Sequence, residues 1–82
     1  MSTDTHVYHI LTVTGFSQDS FDEAVKNAID GGWRNHQEEF EAFVSFEVVK
    51  MDGSITMGDG GPVPTYAATV AISAIHSHHH EH

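Results

Sequence analysis

Five of the eight histidines lie in the last seven residues, HSHHHEH: His76, His78, His79, His80 and His82. Neutral imidazoles ligate Zn²⁺, Ni²⁺ and Cu²⁺. In an extended chain His78 and His80, or His80 and His82, point the same way, and Glu81 adds a carboxylate oxygen. The tract therefore reads as a divalent-metal site. Its plain alternative is a loose solvated terminus or the remnant of an affinity tag. Trp33 is the only tryptophan. It either packs against apolar neighbours or offers a stacking platform to a flat ligand. His6, His9 and His36 stand apart in the sequence and read as hydrogen-bonded structural residues. No Ser-His-Asp order, phosphate-binding loop, dinucleotide fingerprint or HExxH is present. With no cysteine there is no catalytic thiol, disulfide or thiolate zinc site. An enzyme is not expected.

The elements that must carry these groups are few. At 82 residues and 39% hydrophobic, the chain makes one domain near the lower size limit for a self-sufficient core. We place that domain at residues 1–75 and the His-rich tail at 76–82. Without disulfides, stability must come from oligomerisation or metal. Twelve acidic residues against three basic ones give a formal charge of −9. That balance argues against nucleic-acid partners and anionic membranes. It suits a soluble or salt-adapted surface, or cation binding by clustered carboxylates. The start, MSTDTHVYH, lacks a secretory signal, and no apolar run approaches membrane-spanning length. A cytoplasmic location is expected.

Residues 6–14 are β-branched and aromatic, so they read as a first strand. Val7, His9, Leu11 and Val13 share one face; His6, Tyr8, Ile10 and Thr12 share the other. Both faces are partly apolar, which suggests that both are covered, one of them by another subunit. Gly15 is expected to end this strand. Ser20 and Glu23 form a capping box, with Ser17 as a rival cap. Phe21, Ala24, Val25, Ala28 and Ile29 then make one apolar helical stripe. Gly31-Gly32 marks either a weak point in one helix or the junction of two. The three-to-four spacing resumes at Trp33, His36 or Gln37, Phe40 and Phe43. A second strand is expected over 44–51, with Phe46 and Val48 on one face and Met51 on the other. Asp52-Gly53 signals a turn, and 52–64, with its glycines and prolines, reads as a long hairpin loop. A third strand over 65–75 is rich in small residues, leaving room for close approach or for a ligand.

The block VYHILTVTGFSQDSFDEAVKNAI, then FEVVK, then TYAATVAI, resembles the dodecins. The Thr-Gly-x-Ser turn into SFDEAVKNAI is its most specific part. The resemblance implies an α+β fold, β-α-β-β, with one helix on a three-stranded antiparallel sheet. It also implies a hollow homo-oligomer of twelve subunits that binds flavins in pairs between subunits. In flavin-binding members a tryptophan directly precedes the Phe-Glu-Val motif and stacks on the isoalloxazine; here that residue is Ser45. A glutamine after the third-strand tyrosine contacts the flavin's pyrimidine edge; here the residue after Tyr66 is Ala67. The implied pocket is therefore lined by Ser45, Tyr66, Ala67 and Thr69, with Trp33 as a relocated stacking platform. The expected function is non-catalytic binding or storage of a small molecule, either a flavin (FMN or riboflavin) or an altered ligand. The alternative is a metal-binding or metal-buffering assembly built on the tail and the acidic surface.

Overall fold

A computed structural model describes residues 8–76. Its elements run β1 (Tyr8–Ser17), α1 (Phe21–His36), β2 (Phe40–Gly58) and β3 (Gly61–His76). β3 lies in the middle of the sheet, antiparallel to β1 on one side and β2 on the other. This is the expected β-α-β-β arrangement. His6, His78, His79, His80 and His82 lie outside the described residues.

The helix begins where the sequence signals it. The Ser20 hydroxyl accepts the Glu23 backbone N–H at 3.1 Å, and Asp22 and Glu23 occupy the positive end of the helix dipole. Ser17 is not the cap. Its hydroxyl accepts the N–H groups of Asp19 and Ser20 and so shapes the link out of β1. The helix then runs unbroken through Gly31-Gly32 to His36. Gly32 is buried with Ala24 and Ala28, four residues apart each time, so it continues the stripe that meets the sheet.

Gly15 does not end β1. It lies inside the strand, paired with Ala68, and the strand continues to Ser17. A Cβ built at Gly15 would sit 2.3 Å from both the Ala24 carbonyl oxygen and the Ala28 amide nitrogen. Glycine here lets helix and strand backbones touch. The core follows from that contact: Ala24 and Ala28 press on Ala68, Val70 and Ile72, flanked by Leu11, Val13, Val25, Ile29, Phe43 and Tyr66.

Three further expectations are corrected. Phe40 and Phe43 are not helical; the helix stops at His36 and both lie in β2. β2 carries register shifts between Phe40 and Ala42, Phe43 and Ser45, and Val48 and Lys50. Each extra residue resets the strand's alternation. Phe40, Phe43 and Phe46 therefore pair with His76, Ala74 and Ile72, which all lie on the helix-side face of β3. A bulged strand thus repeats every three residues and imitates a helix. The same shifts put Met51, opposite Ala68, on the face of Phe46 and Val48 rather than across from it. The third concerns the hairpin. Residues 52–64 are mostly strand, and the turn is Asp59-Gly60, followed by Gly61 at φ 121°. β1 pairs with β3 only as far as Tyr66, so the β2–β3 hairpin continues beyond it as a two-stranded arm.

Candidate ligand-binding site

The helix lies over β1 and β3 and leaves the helix side of β2 largely open. Phe46 and Met51 are therefore about half exposed, although they sit on the core face of the sheet. Where the helix edge meets this shelf there is a cleft of about 170 Å³ lined by Ile29, Phe43, Val44, Ser45, Phe46 and Ile72. The register shift between Phe43 and Ser45 shapes it. Without that shift, the strand's alternation would put Phe43 and Phe46 on opposite faces. Trp33 stands beside this region, its ring edge-on to Phe43 at 5.1 Å between centroids. It is half-buried, so it packs and still presents surface.

The residues named from the sequence do not form a single site within one chain. Ser45 borders the cleft, but it pairs with Ser73, so its side chain belongs to the outer face with Ala67 and Thr69; Trp33 reaches the cleft through Phe43. Tyr66 lies at the other end of the helix, against Phe21 at 4.9 Å. Phe21 and Trp33 are twelve positions apart, about 18 Å along the helix axis. Ala67 and Thr69 are on the opposite face of the sheet from the core residues Ala68 and Val70. There Ala67 lies between Phe16 and Asp52, and Thr69 lies between Thr14 and Lys50. The Thr14 and Thr69 hydroxyls are 3.1 Å apart. This outer face also exposes Tyr8, Ile10 and Phe16, so it is a small-residue groove with an apolar rim. The cleft residues Ile29, Val44, Phe43 and Phe46 are not among the site residues named from the sequence. The bulge and the sideways offset of the helix, which create the cleft, leave no local motif.

Of the metal residues named from the sequence, only His76 is described. Among the described residues no group of three or more His, Cys, Asp or Glu side chains could hold a metal ion. No helix among them is long and apolar enough to cross a membrane.

The dodecin family model matches residues 7–75. Solved structures share the fold. The dodecin from Streptomyces davaonensis is 21% identical with a TM-score of 0.72, covering 92% of this chain and 100% of that one. The dodecin from Streptomyces coelicolor is 23% identical with a TM-score of 0.69, covering 94% and 100%. The tt0972 protein of Thermus thermophilus is 19% identical with a TM-score of 0.66, covering 92% and 100%. Among curated proteins, none matches by sequence. A match over 69 of 82 residues, on a fold with the same element order, makes this chain a member of the dodecin family.

Proposed function

We propose that the chain is a non-catalytic, homo-oligomeric binding protein for a flat small molecule, with a pocket altered from the flavin site of the family. The observation that carries this reading is the cleft beside Ser45. Its lining is mostly apolar, but about 170 Å³ is short of the roughly 300–1,000 Å³ of a complete small-molecule pocket. A second copy of the chain supplies the missing walls. Tyr8, Ile10 and Phe16 on the outer face and Phe46, Val49 and Met51 on β2 leave apolar surface for such contacts. Dodecamers and paired flavins are what family membership suggests for assembly and ligand. Ser45 and Ala67 stand where flavin-binding members place their stacking tryptophan and their glutamine. The reading is therefore a ligand gripped by shape and by Phe43, Phe46 and Trp33 rather than by a ring stacked from position 45.

Native mass spectrometry of protein purified without an affinity column or added metal tests this. A multimeric peak, twelve subunits by the family pattern, with a mass increment of a few hundred daltons per pocket or per pair is the expected result. A monomer, or a multimer that stays at polypeptide mass after incubation with riboflavin and FMN, would overturn it.

A further inference from the structure

At the far end of the sheet from the hairpin arm, two histidines meet. His9 on β1 pairs with Ala74, so His76 on β3 is its diagonal neighbour on the helix side of the sheet. Their ring centroids are 4.8 Å apart with the planes inclined by 41°. We propose that His9 and His76 form a two-imidazole chelate for a divalent transition-metal ion of the Cu²⁺, Ni²⁺ or Zn²⁺ class.

The spacing is the first argument. With a metal–nitrogen bond of about 2.0–2.1 Å, a coordinated ring has its centroid about 3.2 Å from the ion. Two such rings at bond angles between square and tetrahedral then have centroids about 4.5–5.2 Å apart. The observed 4.8 Å falls inside that window. The surroundings are the second argument. Phe40, only 6% exposed, lies beneath both rings with centroid distances of 6.1 Å to His9 and 6.0 Å to His76. An apolar floor lowers the local dielectric and holds the rings in place, while both histidines remain exposed enough for an ion to enter. Soft-to-borderline nitrogen ligands select these metals over Mg²⁺ or Ca²⁺, which require oxygen. The sequence is the third argument. His6 stands three residues before His9, and His78 two residues after His76, so further imidazoles are close in the chain to both members of the pair. His36 also neighbours Phe40, at 6.2 Å, but its Nδ1 is engaged with Glu39 at 3.0 Å. Among the described residues it has no ring contact with His9 or His76, and it is not a ligand in this proposal.

The site differs from a tail-only metal site because it requires His9. The test uses the full-length chain carrying His78→Ser, His79→Ser, His80→Ser and His82→Ser together, untagged and stripped with chelator. Titration with CuCl₂ by calorimetry should show one ion per chain. The Cu²⁺ electron paramagnetic resonance spectrum should show coupling to at least two nitrogens. Adding His9→Phe, which keeps a ring against Phe40, should weaken binding by at least tenfold without lowering the melting temperature of the metal-free protein. If that variant is unstable, His76→Gln in the same background is read the same way. Absence of binding in the tail-substituted chain would overturn the proposal, and so would affinity indifferent to His9 and His76. Flavin content plays no part in either readout, so this test and that of the ligand cleft fail independently.

Discussion

On the proposed reading, Ser45 is the residue on which ligand chemistry turns. It sits at the rim of the cleft and, paired with Ser73, carries its side chain on the outer face with Ala67 and Thr69. A serine adds almost no contact area there, whereas an aromatic pair is worth about 0.5–1.5 kcal/mol beyond the area it buries. Ser45 is exposed, so a larger side chain meets no core packing. Ser45→Trp should therefore strengthen riboflavin binding by roughly three- to tenfold or more. Quenching of flavin fluorescence reads this directly. Unchanged affinity would place the ligand away from position 45. Part of this site is legible in the sequence. Ser45 and Ala67 stand out because they interrupt motifs whose neighbours, Phe46-Glu47-Val48 and Tyr66, are intact. The cleft walls are not legible. Ile29 lines one cleft with Phe43 and Phe46 only because the helix sits to one side of β2, which is a tertiary fact without a local signature.

Among the elements, the helix is readable almost residue by residue, because its cap and its stripe are local physics. The Ser20 hydroxyl takes the Glu23 N–H, one half of the expected capping box, while the Ser20 N–H goes to the Ser17 hydroxyl instead; Ala24 and Ala28 face the sheet. The strands are less readable, because β2 breaks its own alternation. Phe40, Phe43 and Phe46 recur every three residues through register shifts, a period shared with helices. Asp52-Gly53 has the composition of a turn, yet cross-strand pairing to Ala67 and Tyr66 holds it extended. Three glycines carry a prediction at this scale. Gly15 touches the helix backbone, and any Cβ must push the helix off the sheet. Gly15→Ala should cost about 3 kcal/mol, at the upper end of overpacking. At Gly31 a methyl group would meet nothing within 4 Å, so Gly31→Ala should stabilise by about 0.5–1 kcal/mol through helix propensity alone. At Gly32 the added methyl meets Val13 at 3.3 Å, which offsets that gain. Thermal melts of the three variants should rank Gly31→Ala highest and Gly15→Ala lowest. A Gly15→Ala protein as stable as the parent would mean that the helix does not rest directly on the β1 backbone.

The shape of the whole molecule ties the residue and the element to assembly. The described residues measure 63 × 23 × 13 Å, with a radius of gyration of 16.7 Å. A compact chain of that many residues has a radius of about 11 Å. The excess is the β2–β3 arm, whose Ile55 and Met57 are 68% and 71% exposed. A two-stranded ribbon is marginal in water by itself, and exposed side chains of this kind call for another surface. Pro62 and Pro64 lack N–H groups, which blunts this stretch of β3 against uncontrolled strand addition. Burial of the arm and of the outer sheet face by copies of the same chain is the driving force we propose for the shell. Charge opposes it. Each chain carries a net −9 after Lys26, Arg34 and Lys50 are counted, so twelve chains would carry a formal −108. Screening decides the balance. The Debye length is about 30 Å at 0.01 M salt, longer than the 23 Å width of a subunit, and about 3 Å at 1 M. Hydrophobic contact changes far less over that range. The assembly should therefore melt at lower temperature, or shed subunits, as NaCl falls from 1 M to 10 mM. A few millimolar of a divalent cation should restore it at ionic strengths where the same concentration of NaCl does not. Light scattering paired with thermal melts across the salt series measures both effects. A particle whose mass and melting point ignored salt would show that the carboxylates are neutralised within the assembly or lie too far apart to repel.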